Sequence, residues 1–355
     1  MDILIDLSKL KDPNCGLGQV AMNYGQYYKD CYVPKEGEEV TLLVPKEYVG
    51  RFGGEVKYIE MKAVYKLFPF LIRKRRFDVW HSINQLSHYK PWAKKTVLTI
   101  HDYNFCYEKR GGKVGKYLEK VRHEVDNADV IGTISHFTES EIERFTPTKK
   151  PVYVIYNGIE RIDLIEEKKP RNVHKPFLFT IGVMKEKKNF HVLLDIMKII
   201  PEYQLYMAGN DTGDYAEGIK RRIADEGIDN VHVMGRITME EKCWMYRHCS
   251  GFVFPSLFEG FGLPVVEAML FHRPVVSSGA TSLSEICNGH TKFLPEDFDA
   301  AKSADIIKDA IENVNQIEMD RAFQYATSLT WRKNAEGYLR IFRELFPLSS
   351  DQSPQ

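Results

Sequence analysis

Short apolar runs of strand length alternate with helix-length segments along nearly the whole chain, which is the pattern of parallel α/β sheets. In the first half these runs are Ile3–Leu7, Val40–Val44, Val56–Ile59, Asp78–His81, Thr96–Ile100, Val130–Ile134 and Val152–Tyr156. In the second half they are Phe177–Ile181, Gln204–Ala208, Val231–Met234, Gly251–Phe254, Val275–Ser277 and Lys292–Leu294. A chain of 355 residues exceeds a typical single core. Two doubly wound units are therefore expected, over residues 1–165 and 170–330, with the linker in the charged stretch Arg161–Lys175 that Pro170 interrupts. No internal repeat is evident, and the polar tail Ser349–Gln355 is expected to be disordered.

The formal net charge of zero argues against a dedicated nucleic-acid binder, whose basic face usually shows in the totals. Met1–Ser8 lacks the cationic start and long apolar core of a signal peptide, and no apolar run approaches the ~20 residues that span a bilayer. A cytoplasmic protein is expected, with contact at the inner face of the membrane left open. Cys15, Cys31, Cys106, Cys243, Cys249 and Cys287 form no C-x-x-C pair, which fits reduced structural thiols. Cys243, His248 and Cys249 lie close together, but a structural zinc site needs about four ligands and no second cluster supplies the rest, so they read as packing residues of one helix.

The run Phe254–Met269, F-P-S-L-F-E-G-F-G-L-P-V-V-E-A-M, carries the chemistry. Pro255 and Ser256 end a buried strand, Gly260 and Gly262 permit a tight loop, and Pro264 suits the first turn of a helix. Glu259 then sits in the loop and Glu267 one turn into the helix, so both carboxylates can face one crevice beside helix-terminal N–H groups. Carboxylates accept hydrogen bonds from sugar hydroxyls and such N–H groups attract phosphate, a pairing suited to a sugar joined to a nucleoside diphosphate. A Gly-rich turn with an acidic first helical turn is also ordinary in open α/β sheets.

As a whole the run resembles the E-x7-E signature of retaining glycosyltransferases of family 4, agreeing at Pro255, Ser256, Glu259, Gly260, Phe261, Gly262, Leu263, Pro264, Glu267, Ala268 and Met269. The resemblance extends over most of the chain and implies the GT-B architecture of two Rossmann-like domains facing across a cleft. Trp331–Phe346 resembles the family's closing helix, over 331–347, which packs back on the first domain. Thr281–Ile286 resembles its S-L-P-E segment, with Ser284 in place of proline. In Gly182–Asn189, which is expected to open a helix running to about Ile200, Lys188 falls where the family sets a lysine against the donor diphosphate. Lys187 matches an arginine found in part of the family, whereas Val183 stands where many members carry one.

The resemblance implies further assignments. Glu267 would hold the ribose hydroxyls and Glu259 those of the transferred sugar. Gly260, Phe261, Gly262 and Leu263 would place the helix start at the donor, and the base would lie near Met234-Gly235-Arg236-Ile237. Asn14–Gln19, with Gly16 and Gly18, follows the first strand where the family has a glycine loop over the donor phosphates. It is not G-x-G-x-x-G, so a nicotinamide fingerprint is poorly matched. His101 ends a strand, where it could donate a hydrogen bond to a sugar hydroxyl, and it matches the family's H-D pair. Asp102 either orients His101 or caps the following turn. Ser135 reads as a helix cap, and Asn157-Gly158 chiefly as a turn.

The function so implied is that of a metal-independent hexosyltransferase with no bound cofactor, its donor a nucleotide sugar of mannose or glucose type and its acceptor a glycan or polyprenyl-linked molecule of surface polysaccharide assembly. A nucleotide-sugar epimerase, a phosphorylase-like enzyme and a non-catalytic donor-binding protein remain open alternatives. The basic-aromatic stretches Tyr65–Phe77, including Arg73-Lys74-Arg75-Arg76, and Lys109–Arg122 read either as solvated helix faces or as contacts for an anionic lipid-linked acceptor or a membrane surface.

Overall fold

The computed structural model describes residues 1–13, 15–72, 76–108 and 112–346. Asn14, residues 73–75 and 109–111 of the two basic stretches, and the polar tail lie outside them. Contacts divide the chain into two compact units, Met1–Gly158 joined by the chain from Leu329 onward, and Ile159–Ser328. The division falls at Gly158 and not within Arg161–Lys175, because that charged stretch is bonded to the second unit. Cys243 Sγ donates to Ile162 O at 3.2 Å, Arg247 donates to Asp163 O at 2.6 Å, and Glu167 meets both Arg247 and His248.

The first unit holds a parallel sheet of β1 (Asp2–Asp6), β2 (Glu39–Val44), β3 (Lys57–Glu60), β4 (Phe77–Ser82), β5 (Ala93–Ile100), β6 (Val130–Thr133) and β7 (Val152–Val154), in the order β3-β2-β1-β4-β5-β6-β7. The second holds β8 (Phe177–Ile181), β9 (Gln204–Ala208), β10 (Val231–Gly235), β11 (Gly251–Phe254), β12 (Val275–Ser277) and β13 (Lys292–Phe293), in the order β10-β9-β8-β11-β12-β13. These are the two doubly wound sheets expected from the sequence. Strand order reverses between β1 and β4 in one and between β8 and β11 in the other. In an open parallel sheet the chain leaves such neighbours in opposite directions, opening a crevice at their carboxyl ends.

Burial on both faces explains the unbroken apolar runs. Ile3 and Ile5 pack with Val20, Tyr24 and Tyr28 of the helix Gly16–Asp30, while Leu4 between them packs with Leu43 and Trp80 on the other side. In the second unit Leu178, Leu205, Met207 and Val253 join Leu193, Ile196 and Met197 of the helix His191–Ile199. Two boundaries differ from the sequence reading. β5 starts at Ala93 and not Thr96, because the lysines at its start are paired: Lys94 with Asp78 at 2.7 Å and Lys95 with Asp129 at 2.9 Å. The helix expected from Gly182 begins only at His191, since the short turn Glu186–Lys188 ends at Asn189 in the left-handed region, φ 57°.

The helix Trp331–Leu345, capped by Thr330 Oγ1 accepting from Lys333 N, completes the first unit's core with Ala335, Tyr338, Leu339 and Phe342. Tyr338 lies directly over Gly132 of β6, where a Cβ would stand 2.4 Å from the phenol oxygen. That oxygen accepts from Thr99 Oγ1 at 2.9 Å, and the ring centroid is 4.4 Å from that of His81. His81 Nε2 in turn meets Thr99 Oγ1 at 2.9 Å, and its Nδ1 has no hydrogen-bond partner among the described residues.

Gly132→Val should lower unfolding free energy by about 1–3 kcal/mol, because the added methyls displace a packed ring; an unchanged urea midpoint would rule that close approach out. Burial pulls the His81 imidazole down to about 3 and that of His101 to about 4. Both folded values lie below the unfolded value near 6.5, so stability is fully present above about pH 6.5 and is lost as pH falls toward them. Each should contribute a slope that rises from about 0.7 kcal/mol per pH unit at about pH 6.5 toward about 1.4 near about pH 5. Urea titrations across that window should show a shallower slope in His81→Gln than in the parent.

Candidate active site

In the second unit the loops leaving β8 and β11, the neighbours at the point of reversal, come together. Gly182 N donates to Ala208 O at 3.0 Å and Gly209 N to Gly235 O at 2.8 Å, which draws the ends of β8, β9 and β10 into one layer. At Gly209, φ is 127° and a Cβ would lie 1.9 Å from Gly182 O, so the approach admits glycine alone. The turn after β8 then meets the loop after β11: Leu257 N donates to Lys187 O at 2.7 Å, and Ser256 Oγ lies 3.2 Å from the same carbonyl.

This scaffold sets Lys188 against Glu259. The Lys188 ammonium donates to Glu259 Oε1 and stands 4.9 Å from the centroid of the Phe254 ring. Ser256 Oγ donates to the same carboxylate oxygen at 2.6 Å. Both charged side chains are nearly buried, 12% and 13% exposed, so each depends on the other for compensation. The backbone of Glu259 is clamped on both sides. Its N–H donates to Thr281 Oγ1 at 3.1 Å and its carbonyl accepts from Ser282 Oγ at 2.9 Å. Thr281 holds φ 55°, a conformation β-branched residues rarely adopt, at a cost on the order of 1–3 kcal/mol.

Glu267 sits on the helix Leu263–Met269, whose N-cap Gly262 has φ 101° and faces Leu283, 2.5 Å from where a Cβ would be. Lys242 Nζ donates to its Oε1 and the Tyr246 hydroxyl to its Oε2, each at 2.9 Å. Burial pushes the Tyr246 phenol well above its ordinary range, so it remains protonated and donates. Lys242 and Tyr246 are one turn apart on the helix Met239–His248, opened by the capping box Thr238–Glu241. Sequence reading missed both, although their i, i+4 spacing on a helix next to the motif was the available signal. It also left Ser256, Thr281 and Ser282 without roles.

The other expected residues fall elsewhere. Gly260 and Phe261 are buried in the loop before that helix. The helix is only seven residues long, so phosphate attraction at Leu263 is weaker than the motif alone suggests. Arg236 and Ile237 follow β10 and line, with Asn172, Tyr206 and His232, a cavity of about 340 Å³. Among the described residues no hydrogen bond or ion pair ties either of them to Glu259 or Glu267.

In the first unit, Gly16 opens the helix Gly16–Asp30, with open space where its Cβ would be. Gly18 is required for a different reason, because a Cβ there would lie 1.9 Å from Asp12 O of its own loop. His101 is buried at the end of β5. Its Nε2 meets Ile83 O at 2.8 Å, and a carbonyl only accepts, so the neutral ring carries its proton there. Nδ1 is then an acceptor, which corrects the expectation of a histidine donating to a sugar hydroxyl. Asp102 Oδ1 accepts from Asn104 N at 3.0 Å, the capping alternative. Ser135 caps the helix His136–Phe145 by accepting from Thr138 N.

Among the described residues no three His, Cys, Asp or Glu side chains are grouped to hold a metal ion. One D-x-D triplet, Asp297-Phe298-Asp299, does occur in the sequence. Its carboxylates are engaged locally, Asp299 capping the helix Ala300–Glu312 through Lys302 N and Asp297 accepting from Asp299 N.

Residues 161–343, just over half the chain, match the family described as "Glycosyl transferases group 1", and residues 32–161 match "Glycosyltransferase Family 4". The O-antigen chain mannosyltransferase B of Escherichia coli is 26% identical over 93% of this chain and 96% of its own. Sucrose-phosphate synthase of Thermosynechococcus elongatus superposes with a TM-score of 0.74 at 19% identity, over 97% of this chain and 98% of that one. HepE of Anabaena, solved with UDP and glucose, gives 0.74 at 15% identity, over 97% and 100%. The chain therefore belongs to the glycosyl transferases of group 1, and is a family 4 glycosyltransferase with the GT-B fold.

Proposed function

We propose that this enzyme moves a hexose of mannose or glucose type from a nucleoside-diphosphate sugar onto a hydroxyl of a glycan or lipid-linked acceptor, with retention of anomeric configuration and without a metal ion. The observation that carries this reading is the Lys188–Glu259 pair at the reversal between β8 and β11. Cleaving the glycosidic bond to a diphosphate develops positive charge at the anomeric carbon and negative charge on the leaving group. Interactions that strengthen as this charge separates lower the barrier.

Lys188 supplies the cation for the diphosphate, with Lys187 beside it. As the ammonium turns to phosphate, Glu259 is released to accept hydrogen bonds from the hydroxyls of the transferred sugar, and Ser256 keeps its carboxylate oriented. Glu267, already held by Lys242 and Tyr246, accepts from the two ribose hydroxyls. Arg236 and Ile237 lie on the side of the base, and Gly16, Gly260, Phe261, Gly262 and Leu263 shape backbone at the donor. His101 accepts a hydrogen bond from a sugar hydroxyl through Nδ1. The mannose preference and a surface-polysaccharide acceptor are supported by the O-antigen mannosyltransferase relative.

Lys188→Ala and Glu259→Ala should each reduce kcat by about 10²–10³ while circular dichroism stays that of the parent; near-parental turnover in either would remove the assignment. Tyr246→Phe takes away one donor to Glu267 and should raise the donor KM about tenfold with kcat little changed, so an unaltered KM would separate Glu267 from donor binding. Transfer should persist undiminished in EDTA, and loss that Mg²⁺ or Mn²⁺ restores would defeat the metal-independent scheme. NMR of the product tests retention through the anomeric coupling, and donor turnover with no acceptor present would point to an epimerase.

A further inference from the structure

We propose that the surface formed by residues 61–72 and Trp92 of the first unit docks on an anionic lipid bilayer. The segment Val64–Leu71 is built inside out. Tyr65 and Ile72 turn inward onto a core cluster with Phe77, Trp80 and Tyr89, which fixes the short helix Val64–Leu67 and the turn Pro69–Leu71 in place. Val64, Leu67, Phe68, Phe70 and Leu71 then face outward, from 38% exposed at Val64 to 78% at Leu67, and Trp92 beside them is 50% exposed. The rings adjoin: Phe68 and Phe70 are 5.9 Å apart between centroids, and Phe70 and Trp92 6.2 Å. A joined apolar surface of this kind marks an interaction site, whereas scattered exposed apolar residues need no explanation.

Charge selects the occupant. Residues 61–72 contain Lys62 and Lys66 and no acidic residue, and Arg76 follows. All three are exposed, and no carboxylate pairs with them among the described residues. The nearby Lys90 and Lys94 are taken by Glu124 and Asp78. Exposed aromatic and aliphatic groups on a segment whose charged residues, Lys62 and Lys66, are both cationic fit an anionic lipid surface, where the rings enter the interface and the ammonium groups meet headgroups. A second copy of the chain fits worse, because a symmetric contact would bring the same cations face to face. The proposal does not rest on the transfer reaction, since none of these surface residues is assigned a part in it.

The test is co-sedimentation of the full chain with vesicles of phosphatidylcholine alone and of phosphatidylcholine with phosphatidylglycerol, 3:1. Binding to the anionic vesicles is expected, with none to the neutral ones, and high salt should release it. The variant Leu67→Ser/Phe70→Ser should reduce the partition constant tenfold or more at an unchanged melting temperature. Lys62→Gln and Lys66→Gln should each reduce it about fivefold. No pelleting with anionic vesicles, or pelleting that the serine variant leaves intact, overturns the proposal. So does a dimer, seen by light scattering, that the serine variant dissolves, since self-association would then be what covers the surface.

Discussion

The adjacency of β8 and β11 is the constraint on which the rest of the second unit depends. Nothing in the local sequence brings Lys188 within reach of Glu259, 71 residues away. The crossover does so, by placing their two loops at the same carboxyl-terminal edge. Once there, the pair is held by backbone: Lys187 O takes Leu257 N, and Thr281 and Ser282 grip the peptide of Glu259. The strained Thr281 belongs to this clamp, and its conformation persists because the hydrogen bonds on both sides over-determine it.

The two glutamates share one wiring pattern. Each carboxylate holds one ammonium and one hydroxyl: Lys188 and Ser256 at Glu259, Lys242 and Tyr246 at Glu267. A largely buried carboxylate with both kinds of donor is compensated before any ligand arrives, and its remaining lone pairs are aimed. In the proposed reaction this lets sugar hydroxyls replace an ammonium without exposing a bare charge. The lysine released at Glu259 is the one the diphosphate needs.

Much of this was legible in the sequence, for identifiable reasons. Parallel strands buried on both faces write themselves as unbroken apolar runs, so both sheets were visible. The motif was dense enough to locate Glu259 and Glu267. What stayed hidden depends on tertiary pairing. Lys94 and Lys95 disguised the start of β5 because their partners, Asp78 and Asp129, lie on other segments. Asn189 broke an expected helix through a left-handed backbone that an asparagine permits and does not announce. The tautomer of His101 depends on the Ile83 carbonyl, and Gly18 packs so close to Asp12 O of its own loop that a Cβ would clash. No motif encodes either fact.

The return of the chain to the first unit at Leu329 has a consequence for maturation. The second unit is contiguous in sequence, whereas the first stays without Tyr338 and Phe342 until the final helix has been made. During synthesis the first unit waits with the groove above Gly132 uncovered, because the helix Trp331–Leu345 that fills it becomes available only after clearing the ribosome. Closure of the first unit is thus a late event, following the emergence of the second unit's residues, the reverse of the usual N-to-C order.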